Sequence, residues 1–206
     1  LPILTADGTI SAAALIQDRK VLRYIGKKYI TARREMGFLV PSKGYEYATI
    51  KGHKCAIIVG DDLSRERDFD QSVETVISIN ARKYGKGTMT YRYEMMRNLA
   101  FVESKNLVLV NQVGGSTDIV YDGTSGALNS RGELVLMMKN FEEDFQIFDT
   151  KASARPISIP STYNDRTRLV YEAARCGLRD FFRKNGYRKA SIGLSGGIDS
   201  AVVACL

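Results

Sequence analysis

An alternation of strand-like and helix-like segments over residues 76–110 constrains the fold of this chain most strongly. Residues 76–80 are a β-branched run, and residues 107–110 are a second short apolar run of the kind found in buried strands. Between them, residues 91–104 carry apolar side chains at helical spacing. Strands and helices that alternate in this way pack as layers around a shared core. The sequence therefore predicts an α/β fold.

Short β-like runs separated by turn signals occupy much of the rest of the chain before residue 150. Turns are predicted at residues 17–19, 51–53 and 129–132, where glycine, aspartate or asparagine favours a tight reversal. The flanking runs are predicted to pair as β-hairpins. The predicted strands are 10–16, 21–25, 45–50, 54–60, 119–121, 126–129 and 133–138.

The periodicity of the chain is interrupted by Pro156, Pro160 and several serines. This composition is typical of a linker between two folded units. We therefore expect a first domain at residues 1–150, a linker at residues 151–163 and a second unit at residues 164–206.

The second unit is predicted to contain a helix, a strand, a glycine-rich loop and a further helix. The first helix begins at Asn164, a suitable N-cap, and ends at Asn185 and Gly186, which favour a left-handed stop. Residues 189–194 are predicted to form a short strand that leads into the loop. Residues 201–206 begin the second helix.

The glycine-rich loop has the residue types of a phosphate site. A strand, a glycine-rich loop and a helix together present backbone N–H groups to an anion. Gly196 and Gly197 allow close approach of the backbone, and the hydroxyls of Ser195 and Ser200 add donors. Asp199 would repel a bare phosphate, so its place is explained if Mg²⁺ lies between the two. A Gly-Gly pair also occurs in ordinary strand-to-helix turns.

Composition argues against several other classes of protein. Apolar runs such as residues 134–138 are far shorter than the roughly 20 residues that a membrane-spanning helix needs, and no leader pattern precedes them. Cys55, Cys176 and Cys205 have neither C-x-x-C nor histidine spacing, which indicates neither a disulfide framework nor a zinc site. We therefore predict a cytoplasmic protein with no membrane partner.

The net charge of +7 raises the question of nucleic acid. Basic residues cluster between residues 19 and 34, but few aromatic residues are interleaved with them and no nucleic-acid-binding motif accompanies them. Solvated strand edges and loops account for such charges. No nucleic-acid partner is predicted.

The segment YEAARCGLRDFFRKNGYRKASIGLSGGIDSAVVACL, which begins at Tyr171, resembles the opening of the synthetase domain of glutamine-dependent NAD synthetases. These enzymes belong to the ATP-pyrophosphatase group. Their Ser-Gly-Gly-x-Asp-Ser loop holds the pyrophosphate of ATP, and its aspartate contributes to magnesium binding. The resemblance implies these roles for Ser195, Gly196, Gly197, Asp199 and Ser200.

The preceding region resembles the amidase domain of the same family, which has the nitrilase-like α-β-β-α sandwich. The stretch NLVLVNQVGGSTDIVYDGTSGALNSRGEL, residues 106–134, is the most specific part, and AALIQDRKVLRYIGKKYI, residues 13–30, is also similar. The resemblance implies a partial nitrilase-like sandwich over residues 1–150. The first helix, strand and phosphate loop of an adenine-nucleotide α-hydrolase-like synthetase domain follow. We expect the chain to be incomplete at both ends relative to the family.

Enzymes of this family adenylate nicotinic acid adenine dinucleotide with ATP and Mg²⁺, and ammonia from glutamine then forms the amide of NAD. The resemblance implies a carbon-nitrogen ligase whose cofactors are ATP and Mg²⁺. Its substrates would be ATP, nicotinic acid adenine dinucleotide, and glutamine or ammonia. The full-length protein would be a homo-oligomer. In the family, the walls for adenine and ribose come from sequence beyond residue 206, so we expect weak ATP binding at most.

The amidase of the family uses a cysteine nucleophile, a glutamate base and a lysine that stabilises the tetrahedral intermediate. Its Lys-x-x-Leu-Pro stretch is matched by residues 27–31, so the resemblance implies that Lys27 is the vestigial counterpart; the alternative is an exposed lysine in a basic loop. The nucleophile position is occupied by Gly60, which has no thiol. Cys55 lies five positions earlier on the same predicted strand, and an odd offset places it on the opposite face.

Two further differences affect the amidase part. The glutamate of the family precedes anything that resembles Leu1, and the Ser-Ala-Ser-Pro-Tyr stretch of the glutamine pocket is replaced by residues 80–84, with Arg82 and Lys83. Because the residues of a covalent catalytic site act as a unit, we predict that the amidase part is inactive. Two alternatives stay open: a non-catalytic pseudo-amidase module for assembly or regulation, and a truncated relic without independent activity.

The remaining candidate residues have structural interpretations. His53 is expected in an exposed turn, and Asp61 and Asp62 lack a third ligand for a metal. We expect helix packing for four side chains of the predicted helix: Tyr91, Tyr93, Met95 and Met96.

Overall fold

The computed structural model describes residues 1–31, 35–43, 47–65, 68–150 and 155–206. The strands are β1 (Pro2–Thr5), β2 (Gly8–Gln17), β3 (Lys20–Gly26), β4 (Tyr47–Ile50), β5 (His53–Val59), β6 (Thr75–Asn80), β7 (Asn106–Asn111), β8 (Val113–Ser116), β9 (Ile119–Asp122), β10 (Gly126–Leu128) and β11 (Leu134–Met137). The helices are α1 (Thr88–Glu103), α2 (Arg166–Asn185) and α3 (Ile198–Ala204), with short 3₁₀ helices at Gly60–Ser64 and Ser161–Tyr163.

A six-stranded sheet in the order β11-β10-β7-β6-β5-β4 forms the centre of the fold. Strands β5, β6 and β7 are parallel, and α1 crosses from β6 to β7. Met96 and Leu99 of α1 are completely buried and belong to one core cluster with Leu107 and Val76 of the sheet. The predicted strand-helix-strand unit is confirmed, and its apolar spacing is what covers this face of the sheet.

A separate three-stranded sheet is formed by β1, β2 and β3. The turn between β2 and β3 places Asp18 and Arg19 at φ 51° and 63°, and the β4–β5 turn places Lys51 and Gly52 at φ 48° and 85°. Two successive left-handed residues are the geometry that tight antiparallel hairpins require. Both hairpins are therefore confirmed, although residues 45 and 46 lie outside the described residues.

Strands β1 and β8 are present in the structure but were not predicted from the sequence. β8 pairs antiparallel with β9 in a two-stranded sheet, and it contains Gly114 and Gly115, which have low strand propensity. The reason for these glycines is the close approach of α2. A Cβ atom at Gly115 would lie 3.0 Å from the Cα of Gly177 in α2.

Helix α2 packs against β8 and β9, although it begins the predicted second unit. Asp180, which is 1% exposed, accepts a 2.7 Å hydrogen bond from the backbone N–H of Gly115. The ammonium of Lys184 donates to the carbonyl of the same glycine. Ala173 and Cys176 form a small buried cluster on this face of the helix. The helix that was predicted to begin the second unit is thus docked on β8 and β9.

The ends of α2 agree closely with the sequence. Asp165, one residue after the predicted cap Asn164, is the N-cap and accepts a hydrogen bond from the backbone of Arg168. Gly186 ends the helix at φ 70°. The described part of the predicted linker is anchored as well, since Ile157 donates its backbone N–H to Leu134 over 2.8 Å. Residues 151–154 of the linker lie outside the described residues.

The predicted strand at residues 189–194 is wrong. This segment is exposed and belongs to no sheet among the described residues. An extended segment becomes a strand only when a neighbouring strand satisfies its backbone N–H and C=O groups, and sequence pattern alone does not supply that neighbour. Helix α3, by contrast, overlaps the helix expected at residues 201–206, although it begins at Ile198 and ends at Ala204.

Candidate functional site

The amidase-like position lies where β5 ends. After Val59 the chain turns at Gly60, with φ 66°, into the 3₁₀ helix Gly60–Ser64. Glycine adopts this left-handed conformation without the steric cost that a side chain brings. A sharp turn from strand to helix exposes the residue at its corner, and here that residue has no side chain.

Lys27 faces Gly60 across this turn. A Cβ atom at Gly60 would lie 3.3 Å from Cε and 3.5 Å from Nζ of Lys27. Lys27 is only 4% exposed, and its Nζ lies 2.7 Å from the Oε2 atom of Glu35. The alternative of an exposed lysine in a basic loop is therefore wrong. The structure brings together the two amidase positions that the resemblance assigned.

Asp62 fixes the relative position of these two residues. Its buried carboxylate accepts hydrogen bonds from the backbone N–H groups of Lys28, at 2.6 Å, and Tyr29, at 2.9 Å. The 3₁₀ helix is thereby tied to the segment that follows Lys27. No group of three potential metal ligands occurs among the described residues, and the side chain of Asp61 lies outside them.

Sequence reasoning missed Glu35 and the role of Asp62. Glu35 is eight positions from Lys27, in a turn with no periodic pattern, so only the three-dimensional arrangement relates the two side chains. Without a nucleophile, the Lys27 ammonium can only donate a hydrogen bond to the Glu35 carboxylate, and the two charges neutralise each other. They cannot form the covalent bond on which an amidase of this type depends.

Cys55 does not supply the missing thiol. It lies near the start of β5, is 5% exposed, and its Sγ is 3.7 Å from the carbonyl of His53. Burial, followed by the nearby negative charge of Glu74, raises the pKa of the Cys55 thiol and so disfavours the nucleophilic thiolate. The interpretation of Cys55 as a buried structural cysteine is confirmed.

The segment matched to the glutamine pocket is held rigidly. The backbone N–H of Arg82 donates to Asn111 over 2.8 Å, and that of Tyr84 donates to Val120 over 2.7 Å. The Tyr84 ring packs edge-on against Phe141, with ring centres 5.2 Å apart. These contacts connect the end of β6 to β7, β9 and the cluster beneath α2.

The glycine-rich loop closes on itself through its serines. Gly196 adopts φ 85°, and the backbone N–H of Ser195 donates to Oγ of Ser200 over 3.2 Å. The Ser200 hydroxyl donates to the carbonyl of Gly197 over 3.0 Å, while the Gly197 N–H donates to Oγ of Ser195 over 3.3 Å. The loop is exposed, and Asp199 lies in the first turn of α3.

The donor set of this loop fits a magnesium-bound pyrophosphate. The Ser195 hydroxyl and the first N–H groups of α3, which have no intrahelical acceptor, could donate hydrogen bonds to phosphate oxygens, and the Ser200 hydroxyl could do so by turning away from the Gly197 carbonyl. Asp199 is the one carboxylate of the motif, and carboxylate oxygens are preferred Mg²⁺ ligands. The five residues of the motif lie together in one exposed loop, and their role in binding a nucleotide stays a prediction.

Other singled-out residues have structural surroundings. His53 begins β5, and its Nδ1 lies 2.9 Å from Oε2 of Glu74, so its imidazole is engaged with a carboxylate rather than free in a turn. Tyr93 and Met96 pack in the core as expected, whereas Tyr91 is 60% exposed.

Comparison with known proteins shows which family this chain resembles. A family model described as NAD synthase matches residues 170–206. The chain is 30% identical to a glutamine-dependent NAD(+) synthetase of Synechocystis sp. over 218 aligned positions, which cover 95% of this chain and 39% of that protein. This chain is similar to glutamine-dependent NAD(+) synthetases.

Solved structures agree with this relationship. The chain superposes on the glutamine-dependent NAD+ synthetase of Acinetobacter baumannii, determined with adenosine diphosphate, with a TM-score of 0.81 and 27% identity over 99% of this chain and 41% of that one. It also matches a CN-hydrolase superfamily protein of Xanthomonas campestris with a TM-score of 0.59 at 15% identity, over 84% of this chain and 66% of that one.

These likenesses confirm the predicted fold class. A nitrilase-like α/β arrangement is followed by the opening elements of a synthetase domain, apart from the missing strand at residues 189–194. The chain spans 38% and 39% of the length of two curated synthetases that it matches. No helix among the described residues is long and apolar enough to cross a membrane.

Proposed function

We propose that this chain forms the junction of an NAD synthetase that makes NAD by ATP-dependent amidation of nicotinic acid adenine dinucleotide. In this proposal residues 1–150 are the amidase-like part, residues 151–163 the linker and residues 164–206 the start of the synthetase domain. The match of the NAD synthase family model to residues 170–206 supports the last assignment.

We further propose that the amidase-like part does not hydrolyse glutamine, so that ammonia is the nitrogen donor. The observation that carries this proposal is Gly60, at φ 66° and facing the buried ammonium of Lys27. Amide hydrolysis at such a site begins when a thiolate attacks the carbonyl and expels ammonia. With glycine at that corner, no atom is present to make the bond.

Lys27 still has a role that can be derived from its contacts. In an active amidase a lysine at this place would stabilise the negative oxygen of the tetrahedral intermediate. Here the Lys27 ammonium is buried beside Glu35 at 2.7 Å, and a buried ammonium without a partner costs several kcal/mol. The pair is therefore retained as part of the packing between β3 and the turn at Gly60.

In the synthetase part, the loop residues bind and orient the nucleotide. When bound, ATP with magnesium activates the substrate carboxylate as an adenylate. Ser195 and Ser200 would donate hydrogen bonds to the pyrophosphate, Gly196 and Gly197 let the backbone approach it, and Asp199 would hold the magnesium ion. The homo-oligomeric state and the cytoplasmic location stay predictions from the family resemblance.

NAD formation by the intact protein tests this function. With ATP, magnesium and nicotinic acid adenine dinucleotide, ammonium is expected to support NAD formation and glutamine is not. Asp199→Ala should abolish the ammonium-dependent activity, while Asp118→Ala, in an exposed turn, should leave it unchanged. Equal rates with glutamine and ammonium would contradict the proposal. No observation favours a purely structural module or a relic over this function.

A further inference from the structure

A cavity lies between the segment that precedes α1 and the start of α2. Its volume is about 680 Å³, within the range of roughly 300–1,000 Å³ that small-molecule sites occupy. Neither Gly60 nor Lys27 lines it, and neither does any residue of the glycine-rich loop. Tyr84, from the segment matched to the glutamine pocket, does line the cavity, so the cavity lies beside the amidase-like site and apart from the Gly60 turn and the glycine-rich loop.

The walls of this cavity are aromatic and fixed. The Tyr84 ring is held edge-on against Phe141, and the Tyr163 hydroxyl donates to the carbonyl of Met138 over 3.1 Å. Met89 and Leu169 add apolar surface. A ligand that enters meets rings already held in place, so little side-chain entropy is lost on binding.

Two cations line the same cavity, one from each side. Lys86 comes from the segment before α1 and Arg166 from the first turn of α2. Neither makes an ion pair within the described part of the chain, and the lining residues include no carboxylate. The nearest acidic residue in sequence, Asp165, is engaged as the N-cap of α2.

The backbone that presents both cations is anchored. The Thr88 hydroxyl donates to the carbonyl of Gly85 over 2.8 Å, and it accepts from the N–H of Gly85 over 3.1 Å, which closes the short loop that contains Lys86. The cap at Asp165 likewise fixes the turn that contains Arg166. Local structure thus fixes the backbone positions from which the exposed Lys86 and Arg166 side chains line the cavity.

We propose that this cavity binds a small organic anion, a carboxylate or a phosphate monoester on an aromatic or aliphatic body. The apolar walls would bury the body, and Lys86 and Arg166 would pair with the anionic group. Such a ligand would contact α2 and the segment from β6 to α1 at the same time. This inference does not depend on the proposed NAD synthetase activity.

Calorimetry with the intact protein tests the proposal. Phenyl phosphate and benzoate are the probes, inorganic phosphate tests the charge alone, and benzyl alcohol is the neutral analogue. We expect saturable binding of phenyl phosphate or benzoate, with weaker binding of inorganic phosphate and benzyl alcohol. The double variant Lys86→Gln/Arg166→Gln should weaken the preferred anion about tenfold, since each partly exposed charge pair contributes a few-fold.

The matched control is Lys83→Gln/Arg168→Gln. It removes the same net charge from the same two segments, but neither side chain lines the cavity. This control should bind the anion as the parent does. Equal losses in both double variants would mean a diffuse charge effect and would overturn the proposal. So would benzyl alcohol binding as tightly as the anions, or no saturable binding at millimolar concentrations.

Discussion

Replacing Asp180 by alanine tests how α2 is held against β8. The carboxylate of Asp180 is 1% exposed and accepts the N–H of Gly115 at 2.7 Å. It also lies 3.2 Å from Nε of Arg179 and 3.4 Å from Nη2 of Arg183, both on exposed side chains. Asp180→Ala removes the carboxylate that accepts the buried Gly115 N–H, at a point where a Cβ atom on Gly115 would lie only 3.0 Å from the Cα of Gly177.

The expected cost follows from this geometry. A hydrogen bond to a charged acceptor contributes about 1.5–3 kcal/mol, and stranding its buried donor costs about 1–3 kcal/mol. The two energies partly describe the same lost hydrogen bond and are therefore not summed, and the exposed arginine contacts add little to the free energy of unfolding. We therefore expect Asp180→Ala to lower the free energy of unfolding by about 2–4 kcal/mol. For a chain of this length, each kcal/mol lowers Tm by roughly 2–4 °C.

Urea unfolding followed by circular dichroism measures this change. Asp118→Ala, in the exposed turn between β8 and β9, is the matched control and should change the free energy of unfolding by about 0.5 kcal/mol at most. Asp180→Asn retains an acceptor and should cost less than alanine. If Asp180→Ala unfolds at the same urea concentration as Asp118→Ala, the hydrogen bond to Gly115 does not secure α2.

Three further predictions follow from single residues or short segments. Gly115→Ala should destabilise the protein by more than 1 kcal/mol in the same unfolding assay, because the added Cβ would lie 3.0 Å from the Cα of Gly177; unchanged stability would show that α2 can shift. Burial alone would raise the pKa of Asp180, but the hydrogen bond from Gly115 and the neighbouring arginines lower this pKa below its ordinary value. Its stabilising contribution is therefore present above the unfolded pKa of about 4 and is lost as pH falls below it. Asp180→Asn should flatten the acid limb of the stability profile, and an unchanged limb would contradict this. Because the glycine-rich loop is exposed and α3 has only seven residues, MgATP should bind this chain weakly, with millimolar affinity on the order of −4 kcal/mol by calorimetry. Micromolar binding lost in Asp199→Ala would contradict this expectation.

The central α/β unit could be predicted because its signal is local. The apolar residues between positions 76 and 110 repeat with the period of a strand, then a helix, then a strand. Val76, Met96, Leu99 and Leu107 are buried as this pattern predicts, whereas Val102 is 60% exposed. The hairpin turns at residues 17–19 and 51–53 were equally readable from their turn-forming residues. In both cases sequence neighbours are also structural neighbours.

The sequence-based predictions are wrong where the structure depends on contacts between residues far apart in the sequence. β8 has two glycines and no alternation, and it is a strand because β9 pairs with it and α2 approaches closely. Residues 189–194 have the opposite property, since their composition suits a strand but no described neighbour pairs with them. Pairing partners far apart in sequence leave no trace in a local pattern.

The candidate sites divide in the same way. The glycine-rich loop is one continuous motif, so all five of its residues could be named from sequence. Lys27 and Gly60 could be related only through a family resemblance, and Glu35 was missed because its relation to Lys27 is purely spatial. The buried environment of Lys27, which rules out an exposed lysine, required the structure.

The source of the amide nitrogen is the most direct test of the proposed function. The intact protein would be given ATP, magnesium and nicotinic acid adenine dinucleotide, together with isotopically labelled ammonium and an excess of unlabelled glutamine. Mass spectrometry of the product then reports which donor supplied the amide. If Gly60 occupies the nucleophile position, as we propose, all NAD formed should carry the label, and Cys55→Ser should change nothing. Unlabelled NAD whose formation is lost in Cys55→Ser would show that a thiol of this chain does hydrolyse glutamine, which contradicts the account.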